Sequence, residues 1–171
     1  INIPARLAEL AAHLKEETER LGLPMPRFLM EPGRSIVADA GMTLYTVGSV
    51  KRIPGYKQYA AVDGGMTDNP RYALYQSRYT VYHAHKSGSM ERFDVVGRCC
   101  ESGDIIQPGV ELPGDTCRGD ILAVCTTGAY NYSMASNYNR LPRPAVVMLT
   151  PDRIYEAVRR ETFADLTGLD L

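Results

Sequence analysis

From Met42 onward the chain repeats one pattern: a short apolar run, then a two-residue break built on glycine. The breaks are Pro54-Gly55, Gly64-Gly65, Ser87-Gly88, Ser102-Gly103, Pro108-Gly109, Pro113-Gly114 and Arg118-Gly119. Between them lie Leu44–Ile53, Tyr59–Asp63, Tyr79–His85, Arg92–Arg98, Ile105–Leu112 and Ile121–Cys125. Runs this short, punctuated this often, predict strands and turns, and the fold class is mainly β, a barrel or a sandwich. Two helical interruptions are expected, at Asn69–Gln76 and Tyr130–Asn137, the second after Gly128. Ala145–Leu149 and Arg153–Val158 read as closing strands and Thr162–Leu166 as a last helical turn.

The first 41 residues follow a different pattern. Leu7, Leu10, Ala11, Leu14 and Leu21 recur at helical spacing over residues 4–21, with Pro4 in the first turn and Glu16 set to pair with Arg20. Gly22 and Pro24 end that helix. Phe28-Leu29-Met30 reads as a strand, Glu31-Pro32-Gly33-Arg34 as a tight turn, and Ser35–Ala40 as a short helix. Helix, strand, turn and helix make an α/β pattern. Some 40 residues are too few to close a core alone. The expected division is therefore 1–41, the end of a larger α/β domain, and 42–171, the β-domain with its helical insertions. A start at Ile1 rather than Met predicts a piece of a longer chain.

Composition sets the broad class. With 19 basic and 20 acidic residues the formal charge is −1, which argues against a nucleic-acid footprint. Four Cys are too sparse for a disulfide framework. The longest clean apolar runs, Ile121–Cys125 and Ala145–Leu149, fall far short of the roughly 18 residues that span a bilayer. No basic start followed by an apolar block marks a secretory leader. The expectation is a cytoplasmic protein with reduced thiols and no membrane partner.

Several segments hold residue types that do chemistry. Glu31-Pro32-Gly33-Arg34 ends a run and opens a helix, so its backbone N–H groups and the Arg34 fork suit an anion. On the bare pattern, a polar turn with a surface Arg explains it as well. Cys99-Cys100-Glu101-Ser102-Gly103-Asp104 sets a thiol beside a carboxylate, as a proton donor or nucleophile needs, yet the pattern also fits a half-buried inert Cys. Thr127-Gly128-Ala129-Tyr130 opens a helical turn with a Tyr hydroxyl nearby, or packs as a plain turn. Arg71 and Tyr75 stand four apart, on one face of a helical turn, where they could grip a carboxylate or simply stack in solvent. His83 and His85 share a strand face. With only His13 besides, they read as a solvated face, and no metal site is expected.

Taken in order, these motifs are more specific than any one of them. Glu31-Pro32-Gly33-Arg34, Val62-Asp63-Gly64-Gly65-Met66, Asn69-Pro70-Arg71 with Tyr75, Cys100-Glu101-Ser102-Gly103-Asp104, Gly128-Ala129-Tyr130 and Ser136-Asn137-Tyr138-Asn139 resemble the diaminopimelate decarboxylases. These belong to the alanine-racemase-like class of pyridoxal-phosphate enzymes. The resemblance covers nearly the whole chain but only the C-terminal part of a family protein. It implies the last helix–strand portion of a TIM-type barrel followed by a β-barrel domain. The lysine that holds the cofactor covalently and the glycine-rich phosphate loop would lie in the part not spanned.

The same resemblance implies roles. Glu31 would pair with the pyridine nitrogen of pyridoxal 5'-phosphate, Gly33 and the turn backbone would approach its phosphate, and Pro32 would belong to the same cofactor-binding turn. Arg34 would serve phosphate or substrate carboxylate. Arg71 and Tyr75 would bind the substrate, meso-diaminopimelate, and Tyr130 would touch cofactor and substrate. Cys100 would be the catalytic proton donor and Glu101 the partner of the distal ammonium, both reaching across a homodimer interface. Glu-Ser-Gly-Asp after Cys100 favours that thiol over Cys99. The expected activity is decarboxylation to L-lysine, with this part inactive alone. The alternatives are a relative acting on ornithine, lysine or arginine, and a non-catalytic β-domain that dimerises or binds a partner.

Overall fold

The computed structural model describes residues 2–171. Helix α1 (Ile3–Arg20) opens the chain, and Asn2 Oδ1 caps it by accepting the Ala5 N–H at 3.1 Å. No α1 residue is buried, so its apolar stripe meets no core among the described residues. Arg20 pairs with Glu17 at 2.6 Å rather than with Glu16. Phe28-Leu29-Met30 forms no strand: the segment is exposed and without regular structure, because a strand needs a neighbour to share its ladder and none pairs with it among the described residues. A single α-turn, α2 (Arg34–Val37), and a 3-10 turn over Ala38–Ala40 then lead into the sheet.

Six strands make the main sheet: β1 (Met42–Ile53), β2 (Lys57–Val62), β3 (Val81–His83), β4 (Met90–Val96), β5 (Ile105–Pro113) and β6 (Ile121–Cys125). Their spatial order is β3-β6-β1-β2-β4-β5, antiparallel throughout except for β2 beside β4. The twelve residues of β1 serve two neighbours. The first half pairs with β6 and the second with β2, with a register shift between Val47 and Ser49. A bulge there bends the strand and curls the sheet. The outer strands β3 and β5 come together where the Tyr79 N–H donates to Gln107 Oε1 at 2.8 Å. The result is a nearly closed barrel, not two stacked sheets.

The core follows the two-residue period of a strand. Tyr45 and Val47, Ala60 and Val62, Phe93 and Val95, and Leu122 and Val124 point inward in pairs, joined by Ile106, Val110 and Leu112. Helix α3 (Arg71–Tyr75) lies between β2 and β3, and Gln76 ends it in the left-handed conformation. After β6 the expected helix over Tyr130–Asn137 shrinks to 3-10 turns at Tyr132–Met134 and Tyr138–Arg140. A separate hairpin of β7 (Val146–Leu149) and β8 (Ile154–Val158) and a short α4 (Phe163–Thr167) end the chain.

Two glycines join the entry segment to the barrel. A Cβ on Gly41 would lie 2.5 Å from the Gly128 Cα, and one on Gly128 would lie 2.0 Å from the Val37 carbonyl oxygen. That approach lets Thr127 N–H reach Gly41 O and Gly128 N–H reach Ala38 O, each at 3.0 Å. Residues 34–41 are thereby fixed beside the loop that follows β6.

Candidate functional site

The Gly41–Gly128 contact brings the Glu31–Arg34 turn against the Tyr130 turn. Gly33 lies so close to Tyr130 that a Cβ there would sit 2.5 Å from the phenolic oxygen. Tyr130 holds a positive φ of 62°, a conformation a bulky side chain adopts only under constraint. Its ring faces Arg71, whose guanidinium carbon lies 5.3 Å from the Tyr130 ring centre and 4.7 Å from that of Tyr75. Arg71, Tyr75, Tyr130 and Gly33 therefore converge, although they come from three separate segments. The i,i+4 spacing of Arg71 and Tyr75 falls on one face of α3, as the sequence indicates.

Arg34 follows Gly33 in the same turn. Its guanidinium lies 5.5 Å from the Tyr79 ring centre and donates one long bond, 3.5 Å, to Thr126 O. Neither Arg34 nor Arg71 forms an ion pair among the described residues. Arg34 Nη1 and Arg71 Nε are buried without hydrogen-bond partners, as is Asn131 Nδ2. Buried donors are ordinarily satisfied, and guanidinium groups left unpaired favour an anion with planar oxygens. Glu31 and Pro32 are exposed at the turn.

The thiol segment forms a second group. Cys100 and Glu101 are exposed on the loop between β4 and β5, and neither is hydrogen-bonded to Arg71, Tyr75 or Tyr130 within this chain. Glu101 Oε2 accepts the Tyr138 hydroxyl at 3.4 Å. Cys99 is partly covered, and burial first, then the Asp104 carboxylate, push its thiol up to about 11. The two thiols differ: Cys99 is partly covered and its pKa is raised, whereas Cys100 is exposed. Cys99, Glu101 and Ser102 border an open cleft of about 330 Å³ that Lys57 and Asp94 also line.

A polar pair beside the core, Tyr45 with the half-buried Asp68, has no counterpart among the residues expected from the sequence. Tyr45 donates to Asp68 Oδ2, and Asp68 Oδ1 accepts the Gly65 N–H at 2.8 Å. Burial raises the Asp68 carboxyl despite the opposing bonds from Tyr45 and Gly65. Gly64-Gly65 is the signal in the sequence, since neither position leaves room for a Cβ beside Tyr45, Asp68 and Asp104.

His83 departs from the solvated face expected for it. Its Nδ1 accepts the Lys86 N–H at 2.9 Å, so Nε2 carries the proton, 3.1 Å from Asp120 Oδ2. Burial alone would raise the Asp120 carboxyl, but Lys86 at 2.7 Å, the Cys117 N–H and His83 together hold it well below the usual range. Strand β3 ends at His83, so His85 does not share its face.

Residues 34–128 match the C-terminal sheet domain of the pyridoxal-dependent decarboxylases. The chain is 51% identical over 160 residues to a diaminopimelate decarboxylase of Bacillus subtilis, which covers 92% of this chain and 36% of the relative. A crystal structure of a diaminopimelate decarboxylase from M. jannaschi superposes with a TM-score of 0.79 at 36% identity, over 87% of this chain and 34% of the other. A lysine/ornithine decarboxylase from Vibrio vulnificus, complexed with cadaverine, superposes less closely. Its TM-score is 0.58 at 27% identity, over 68% of this chain and 32% of the other. The chain thus spans little more than a third of the curated relatives it matches. Among the described residues no helix is long and apolar enough to cross a membrane.

Proposed function

Because this chain belongs to the pyridoxal-dependent decarboxylases, as their C-terminal sheet domain, we propose that it completes a meso-diaminopimelate decarboxylase that releases carbon dioxide and forms L-lysine. One observation carries the reading: Arg71 against Tyr130, and Arg34 against Tyr79, each keep a buried donor that has no partner, and neither pairs with a carboxylate among the described residues. The site is built to receive an anion. The relatives' coverage supports a longer chain, in which residues 1–41 end a TIM-type barrel and 42–171 form the β-domain. Exposed Phe28, Leu29, Met30 and Ile36 support this division, because they form an apolar strip before the barrel. Four free cysteines fit work in the cytoplasm.

The residues present fit pyridoxal 5'-phosphate. Glu31 would pair with its pyridine nitrogen, Gly33 and the turn backbone would approach its phosphate, and Pro32 and Tyr130 would contact the cofactor, Tyr130 the substrate as well. Unpartnered Arg34 Nη1 supplies a donor for phosphate or substrate carboxylate. When bound, the cofactor supplies an electron sink for the pair left on the α-carbon as carbon dioxide departs. The chain's own residues do the rest. Arg71 and Tyr75 hold a substrate carboxylate, and the two flanking rings orient the planar Arg71 guanidinium toward it. Cys100 delivers a proton from sulfur to the α-carbon, and Glu101 accepts hydrogen bonds from the distal ammonium. Cys100 and Glu101 stand apart from Arg71 in this chain, which supports a homodimer with each site completed by a second copy.

Product formation by the full-length chain with pyridoxal 5'-phosphate tests this, comparing meso-diaminopimelate with ornithine. Lysine from diaminopimelate is expected. Faster turnover of ornithine would overturn the substrate, and turnover of neither would favour a non-catalytic domain.

A further inference from the structure

Asp104 ends the Cys100-Glu101-Ser102-Gly103-Asp104 run, and it is only 4% exposed. Its carboxylate points inward. Oδ2 accepts the Cys99 N–H and Oδ1 accepts the Met66 N–H, each at 2.6 Å. Two charge-assisted bonds from one buried group, both to backbone, fix a loop more firmly than neutral bonds do. The space is tailored to the group. A Cβ at Gly97 would lie 2.3 Å from both carboxylate oxygens, and one at Gly65 would lie 2.6 Å from the nearer.

The anchor on the other side is itself braced. Gly65 N–H is held by Asp68, which takes the Tyr45 hydroxyl from β1. Thr67 O accepts the Ser136 N–H at 2.8 Å, on the segment that leads to Tyr138 and its bond to Glu101. Arg98 N–H donates to Gly64 O at 3.1 Å. The 64–69 turn therefore ties the thiol loop to the barrel wall, to Arg71 four residues beyond Thr67, and to the Tyr138 segment. Cys100 and Glu101 are exposed, so packing does not set their direction. The backbone beneath them does.

We propose that Asp104 is a positioning residue: its buried carboxylate fixes the 97–104 loop so that Cys100, and not its neighbour Cys99, presents the thiol for proton delivery. This rests on the reading of Cys100 as the proton donor. The same carboxylate lies against Cys99 and, after burial, is the next cause of its raised pKa. One group thus aims the outer thiol and keeps the inner one protonated.

The test uses the full-length holoenzyme and the variants Asp104→Asn, Cys100→Ala, the double variant and Gly97→Ala. Asn keeps the size of Asp but puts a donor where the second acceptor stood. Asp104→Asn is expected to lower kcat on meso-diaminopimelate by about 10- to 100-fold with KM within about 3-fold, and to cost less than about 3-fold once Cys100 is already Ala. Alkylation by iodoacetamide at neutral pH, read by peptide mass, is expected to shift toward Cys99 by at least about 5-fold relative to Cys100. Gly97→Ala, which displaces the carboxylate without removing it, is expected to move both readouts the same way. An equal loss of kcat with and without Cys100 would make Asp104 merely structural and overturn the proposal. So would an unchanged alkylation ratio in Asp104→Asn or, should that variant not fold, in Gly97→Ala. Full turnover by Cys100→Ala would overturn the donor reading instead, and the alkylation ratio alone then decides the role of Asp104.

Discussion

Gly41 and Gly128 meet backbone to backbone, with a would-be Cβ on the first only 2.5 Å from the Cα of the second. The contact pins residues 34–41 to the barrel, and its obstacles are backbone atoms rather than pliant side chains. Gly128→Ala is therefore expected to destabilise the full-length chain by about 1–3 kcal/mol, read as a lower urea midpoint at unchanged slope. A midpoint equal to that of the parent would show that the entry segment yields freely.

The two adjacent thiols should separate cleanly in kinetics. Cys100→Ala in the full-length holoenzyme is expected to lower kcat by about 10²- to 10⁴-fold, the usual contribution of a positioned acid, with cofactor binding retained. Cys99→Ala, which removes a partly covered thiol held up near 11, is expected to change kcat by less than about 3-fold. Reversed effects would move the proton donor to Cys99.

Arg71 offers a test of substrate binding. Arg71→Lys keeps the charge but loses the planar fork stacked between Tyr75 and Tyr130. The loss of a charge-assisted pair, about 1.5–3 kcal/mol, predicts a fall in kcat/KM of about 10- to 100-fold. Normal kcat/KM in this variant would place the substrate carboxylate elsewhere.

Acid stability should carry the mark of Glu161. Arg143, through its guanidinium at 2.6 Å and its own N–H at 2.8 Å, and Asn137 at 2.7 Å hold the Glu161 carboxyl down from 4.5 to about 2. A carboxyl whose folded pKa is depressed stabilises the fold above its unfolded pKa and loses that contribution as pH falls through the folded one. The Tm difference between the parent and Glu161→Gln is thus expected to be constant above about pH 4.5 and to shrink as pH falls from 4.5 to about 2. A difference that stays constant across that window would remove Glu161 from the account.

The lysines of this chain predict the behaviour of the 171 residues alone. Lys15 pairs with Glu19, Lys57 with Asp94 and Lys86 with Asp120, while Lys51 is exposed on β1. None belongs to the Arg34–Arg71–Tyr130 group. Borohydride reduction in the presence of pyridoxal 5'-phosphate is therefore expected to label no single lysine selectively, by peptide mass, and no lysine product should form from diaminopimelate. Selective labelling of one of the four would contradict this.

Most of the barrel was legible because its signals are local. Ile121–Cys125 matches β6 at both ends: an apolar run between Gly119 and the Thr126–Gly128 turn leaves little choice. Arg71 and Tyr75 were legible as a pair because helical spacing alone joins them. Phe28–Met30 was misread, since apolar composition says that a segment wants burial but not whether a neighbouring strand is there to supply hydrogen bonds. The left-handed Tyr130 has no glycine or Asn to announce it, and the constraint comes from Gly33 and Arg71, far away in sequence. Asp104 stood inside a recognisable motif, yet its clamp on Met66 spans 38 residues, a relation no local pattern encodes.

The meeting of β3 and β5 has its own consequence. Every other seam of the barrel is a ladder whose alternation of inward and outward residues makes a one-residue slip costly. At this seam a lone amide, Gln107 Oε1 on the Tyr79 N–H, stands in for a ladder. Registration between the first and last staves thus depends on a side chain rather than on pleat periodicity. Shortening Gln107 would leave two unzipped margins, each offering free backbone to any passing strand.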